Sequence, residues 1–117
     1  MDDDGRISSF SSPGPTADGR TKPEVCALGV RNFVAASSPT SGDSSYQWGN
    51  GTSYATPLVA GVVALLLEAH PDWTPRQVRE ALLSTASRSG APDNDYGWGV
   101  VNAAAAVLYA PSKTLLE

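Results

Sequence analysis

The chain has 117 residues, 8 Lys+Arg against 12 Asp+Glu, a net charge of -4 and 41% hydrophobic residues. That length bounds it to about one small domain, on a prior of roughly 100–200 residues per domain, and the acidic balance without a basic cluster argues against nucleic acid as a partner. One cysteine, Cys26, and one histidine, His70, exclude an internal disulfide and a four-ligand Cys/His zinc site.

In chain order, Asp2-Asp3-Asp4 reads as a solvated end, and no charged n-region with an apolar h-region follows it. No run of about 18 apolar residues is found, so no membrane partner is expected. From Ile7 to Arg20 serine, proline and glycine dominate, and the Asp18-Gly19 pair marks a turn within an ordered loop. Short strands are predicted around Val25 to Val30 and Asn32 to Ala36, then a small-polar loop from Ser37 to Ser45 and a strand at Tyr46-Gln47-Trp48.

The segment Pro57 to His70 is predicted as a helix with Pro57 in its first turn. Leu58 to Leu67 has no polar face, so this helix is expected to be buried on nearly all sides. Thr74-Pro75-Arg76-Gln77 has the form of a capping box, and Val78, Ala81 and Leu82 recur at helical spacing through to about Ala86. A Gly/Pro/Asp loop runs from Gly90 to Gly99, and Asn102 starts a last helix over Ala103 to Leu108 whose four alanines imply close packing. Two short helices and about three strands are few neighbours for a helix that needs covering all round.

Chemistry concentrates in Gly49-Asn50-Gly51-Thr52-Ser53-Tyr54-Ala55-Thr56-Pro57. A serine at the start of a helix has its hydroxyl at the positive end of the dipole, beside backbone N–H groups free to bind an anion. Acyl transfer asks for that pair: a nucleophile, and donors for the oxyanion formed when it attacks a carbonyl. Gly49 and Gly51 would let an extended substrate approach the backbone. Read locally, Ser53 could equally be a helix cap.

Gly51-Thr52-Ser53-Tyr54-Ala55-Thr56-Pro57 resembles the G-T-S-x-A-x-P nucleophile signature of subtilisin-like serine proteases. Phe10-Ser11-Ser12-Pro13-Gly14-Pro15 is similar to the family's F-S-S-x-G-P, and Asp18 to Val25 to its D-G-R-x-K-P-D-V. His70-Pro71-Asp72-Trp73-Thr74 and Tyr96-Gly97-Trp98-Gly99-Val100-Val101-Asn102 also match in order. The resemblance runs from about Asp4 to Leu108. Leu28 departs from the family's A-P-G, and Leu58 from a frequent histidine.

The resemblance implies a Ser-His-Asp endopeptidase with Ser53 as nucleophile, the Ser53 backbone N–H as an oxyanion donor and Thr52 beside it. Asn50 and Gly51 would border a peptide or protein substrate bound as an extended strand, and Tyr54 stands where many relatives have Met. The implied fold is the C-terminal portion of a three-layer α/β domain with a mainly parallel sheet, spanning residues 1–117. The family's Asp, His and oxyanion Asn lie upstream of such a segment, and no residue here matches them, so the isolated chain is expected to be inactive. The missing N-terminal half of the domain is then a candidate partner. The parent is expected to be secreted by resemblance. No cofactor is called for, and calcium, common in relatives, has no identifiable ligand cluster here.

Two other readings stay in view. An α/β-hydrolase elbow fails because Ala55 stands where G-x-S-x-G needs glycine. A truncated or degenerate pseudo-protease fragment that at most binds peptide or a partner is the alternative. His70 cannot serve as base for Ser53, because one helix would hold them on the order of 25 Å apart.

Overall fold

The computed structural model describes residues 1–36 and 45–111, so most of the predicted Ser37 to Ser45 loop lies outside the described residues. Described in chain order are β1 (Asn32–Ala35), β2 (Tyr46–Gly49), α1 (Thr52–Ala69), α2 (Pro75–Thr85) and α3 (Ala103–Val107).

α2 follows from its local sequence. Gln77 N–H donates to the Thr74 side chain, Thr74 N–H donates to Gln77 Oε1 at 2.8 Å, and Pro75 occupies the first turn. Val78, Ala81 and Leu82 are buried as their spacing requires. α3 is capped by Asn102, whose side chain accepts from Ala105 N–H at 3.0 Å, and it stops one residue before the expected Leu108. Ala106 is fully buried in a core with Leu66, Val78 and Leu82. A methyl side chain at that position lets α3 sit close to both longer helices.

β1 and β2 pair antiparallel with Phe33 opposite Trp48 and Ala35 opposite Tyr46. Phe33 stacks on Tyr46 at 5.3 Å between ring centroids and tilts against Trp48 at 4.9 Å. The predicted strand from Val25 to Val30 is realised as a parallel bridge between Cys26 and Val100 rather than a long ladder. Cys26 N–H donates to Gly99 O at 2.8 Å, and Val101 N–H donates to Cys26 O at 3.0 Å.

The motif loops converge around that bridge. Gly14 N–H is shared between Asn94 O at 2.8 Å and Lys22 O at 3.1 Å, and Trp98 N–H donates to Glu24 O at 2.9 Å. Gly97, at φ +59, lies so close to the Pro23 carbonyl that a Cβ could not fit. The predicted Asp18-Gly19 turn closes through Gly19 N–H to Thr16 O at 2.9 Å, with Gly19 at φ +83.

Two expectations for the long helix are corrected. It starts at Thr52, so Pro57 falls past the first turn and deprives the Ser53 carbonyl of its helical i+4 donor. Nor is it enclosed: Leu66 is its one fully buried residue, while Leu58, Leu65 and Leu67 are exposed. α2 and α3 cover one side of α1 and leave the rest open. By length and composition α1 is also apolar enough to cross a membrane, although a soluble core helix passes the same measure.

Candidate active site

Ser53 stands at the start of α1, and three backbone features set it there. Gly51 is the N-cap at φ 143 and ψ 158, with no side-chain capping bond. Its N–H donates to Gly29 O at 2.8 Å, which ties the turn to the segment paired with Val100. Tyr54 N–H then returns to Gly51 O at 3.1 Å and Thr56 Oγ1 to Thr52 O at 3.0 Å, closing the first turn. Ser53 is therefore inside the helix rather than its cap, and the local alternative of a capping serine is not what the chain adopts.

The consequence is chemical. Ser53 is exposed, and among the described residues its hydroxyl has no hydrogen-bond partner. The N–H groups of Thr52 and Ser53 are likewise unpaired among the described residues, as first-turn donors are in any helix. A hydroxyl and two free donors thus meet at the positive end of an 18-residue helix.

The other candidate residues surround this turn. Asn50 uses its side chain structurally: Oδ1 accepts from Arg31 N–H at 2.6 Å and holds Arg31 at φ 54 where β1 begins. The Tyr54 ring lies against Gly49 so closely that a Cβ there would collide with it. Sequence reasoning missed Gly29 and Arg31, which position the turn from a distant part of the chain, because no local pattern marks them.

His70 lies at the opposite end of α1, on the order of 25 Å from Ser53 along the helix. Its Nε2 is 2.7 Å from Val107 O and its ring stacks on Trp73 at 4.0 Å, so it joins α1 to α3. Cys26 Sγ donates to Tyr96 O at 3.3 Å, and burial pushes its thiol pKa up, as befits an inert packed sulfur. Among the described residues no group of three His, Cys, Asp or Glu side chains could hold a metal ion.

An apolar cavity of about 720 Å³ opens beside Thr52, between α1, α2 and the segment from Pro23 to Ala27. Ala55, Val59 and Val63 line it from one stripe of α1, with Val78 and Leu82 from α2.

The parallel bridge between Cys26 and Val100 together with three helices gives the described residues an α/β character. The Subtilase family model matches residues 1–99, and the chain belongs to that family. It is 42% identical over 112 residues to the serine protease AprX of Bacillus subtilis, covering 86% of this chain and 25% of the relative. Fervidolysin from Fervidobacterium pennivorans, a keratinolytic enzyme related to subtilisin, superposes with a TM-score of 0.74 at 31% identity, over 92% of this chain and 17% of that one. MycP1 from Mycobacterium smegmatis gives 0.74 at 29% identity, over 96% of this chain and 29% of that one. The fold is subtilisin-like, and the chain spans about a quarter of the length of the Bacillus relative.

Proposed function

We propose that residues 1–117 form the C-terminal segment of a subtilisin-like catalytic domain and supply the nucleophile for a serine endopeptidase. The observation that carries this reading is Ser53 at the head of α1, with its own N–H and that of Thr52 unpaired. Ser53 Oγ attacks the scissile carbonyl, the Ser53 N–H receives the developing oxyanion, and the hydroxyl proton passes to an imidazole outside this chain. Asn50, Gly51 and Tyr54 border an extended peptide or protein substrate. The same reading makes the parent a secreted protein.

The unpartnered Ser53 hydroxyl and the position of His70 support inactivity of the chain by itself, since a protonated alcohol without a base is a poor nucleophile. As a non-catalytic fragment it would still present the peptide-binding edge. A fluorophosphonate probe separates these outcomes. The chain alone should stay unlabelled, and the chain joined to the acid, base and oxyanion Asn of a subtilase should label at Ser53 but not in Ser53→Ala. Labelling of the isolated chain at Ser53 would show a base that the geometry does not provide.

A further inference from the structure

We infer that Asn50–Gly51 is a deamidation site that the folded turn holds shut: once the turn opens, the Asn50 carboxamide leaves as ammonia through a cyclic imide, and the chain that carries Ser53 is left with aspartate or isoaspartate at residue 50.

The four asparagines are not equivalent. Imide closure needs the backbone nitrogen of the following residue to reach the asparagine Cγ, and a Cβ on that residue stands in the way. Asn32, Asn94 and Asn102 are followed by Phe33, Asp95 and Ala103, whereas Asn50 is followed by Gly51. Asn32 is also buried, and Asn102 is fixed as the cap of α3. Asn50 is exposed, and among the described residues its Nδ2 has no hydrogen-bond partner, so none of them holds the leaving nitrogen.

The reaction balances with water as the only co-reactant. Gly51 N attacks Asn50 Cγ, the Cγ–Nδ2 bond breaks, and the Gly51 proton departs with Nδ2 as ammonia. Water then opens the imide. Cleavage at Cγ gives aspartate, and cleavage at the main-chain carbonyl gives isoaspartate, which places an extra methylene in the backbone between residue 50 and Gly51.

Two hydrogen bonds keep the reacting atoms engaged elsewhere in the folded turn. Gly51 N–H donates to Gly29 O at 2.8 Å, and Asn50 Oδ1 accepts from Arg31 N–H at 2.6 Å. The first keeps the proton on the attacking nitrogen, and the second fixes the carboxamide against the start of β1. Reaction therefore passes through local opening, which exposed turns undergo more readily than a packed core. Opening reverses, but ammonia lost to solvent does not return. With a methylene added between the two anchors, the Arg31 and Gly29 bonds no longer fit together and the start of α1 shifts. Only the consequence for catalysis at Ser53 rests on the proposed reading of the chain; the modification itself does not.

The 117-residue chain is aged at mildly alkaline pH, folded or in urea, and the tryptic peptide from Asn32 to Arg76 is followed by mass spectrometry, with isoaspartate scored by its methyltransferase. Residue 50 should gain one mass unit and isoaspartate while Asn94 and Asn102 stay unchanged, and Asn50→Gln should abolish the gain. Urea should speed it roughly tenfold or more, because the turn is then open throughout. Gly29→Ala sets a Cβ 3.1 Å from the Gly51 carbonyl oxygen, which must give way, so this variant should deamidate severalfold faster without urea while keeping the parent's far-UV circular dichroism. Isoaspartate-containing chain should have a lower urea midpoint than Asn50→Asp, which carries the same charge on an ordinary backbone. A mass gain spread over the other asparagines, or no gain in urea, overturns the site. Equal rates with and without urea, together with a Gly29→Ala variant no faster than the parent, overturn the closure. Isoaspartate at residue 50 in a chain whose fresh Ser53 ignores fluorophosphonate even in a reconstituted domain leaves this site standing and removes the nucleophile assignment.

Discussion

Gly51 N–H reaches Gly29 O at 2.8 Å, and a Cβ on Gly29 would stand 3.1 Å from the Gly51 carbonyl oxygen, so the Ser53 turn and the segment bridged to Val100 meet backbone to backbone. Gly51 also sits at φ +143, a conformation L side chains rarely adopt. Gly51→Ala has room for its methyl group but not for its backbone, and should cost about 1–3 kcal/mol. The urea midpoint should fall, and in a reconstituted domain Ser53 labelling should slow further than the lost folded fraction accounts for. An unchanged midpoint would mean that the turn relaxes without strain.

The contact between Gly49 and Tyr54 predicts coupling. Gly49→Ala drives a methyl group into the far end of the Tyr54 ring, which must swing away. In a Tyr54→Ala background the obstacle is gone. The destabilisation caused by Gly49→Ala should therefore shrink by roughly 0.5–3 kcal/mol in the double variant, the range typical of residues in contact. Strict additivity would show that the ring does not occupy this place in solution.

These two contacts mark the limit of what the sequence discloses. The start of α2 was legible to the residue because Thr74, Pro75 and Gln77 encode it within a single turn. Ser53 was legible as a candidate because its motif is local and long. The start of α1 was not, since Gly51 takes its conformation while bonded to Gly29, which no periodicity links to it. The open face of α1 was misjudged for a similar reason. Leu58 to Leu67 announces that the helix must be covered, but an apolar run carries no information on which chain does the covering. Asn50 is expected to border a bound peptide, and its bond to Arg31 N–H goes unmarked by any local pattern.

His70 separates structural from catalytic expectation. Its Nε2 meets Val107 O at 2.7 Å and its ring stacks on Trp73. His70→Ala should cost about 1–2 kcal/mol through the lost hydrogen bond and stacking, read as a lower urea midpoint. In a reconstituted domain the rate of Ser53 labelling, corrected for folded fraction, should not change. A large fall in that corrected rate would place an imidazole in the chemistry that the helix length keeps away from it.

Thr74→Ala tests the capping box directly. The substitution removes the acceptor for Gln77 N–H and should cost about 1 kcal/mol, while Thr74→Ser retains the oxygen and should recover most of it. Equal urea midpoints for the alanine and serine variants would assign the effect of Thr74 to its methyl group instead.

The loop from Arg88 to Gly99 should respond to acid through Asp93. Its Oδ1 accepts from Tyr96 N–H at 2.7 Å and Asp95 N–H at 2.9 Å, and its Oδ2 faces Arg88 Nη1 at 2.7 Å. The Tyr96 backbone N–H, followed by that of Asp95 and by the Arg88 charge, holds the carboxyl below its ordinary value against a smaller opposing effect of desolvation. A carboxylate with a lowered folded value stabilises fully above the unfolded value, near 3.9, and loses that contribution as pH falls through the folded value. Tyr96 amide exchange, corrected for its intrinsic pH dependence, should therefore be equally protected at neutral pH and about pH 5, and become less protected below about pH 4. Asp93→Asn keeps an oxygen for the two N–H groups but does not titrate, so its protection should be flat across the same range. If the native loop is equally flat, Arg88 and the Asp93–Gly97 bridge hold it without help from the charge.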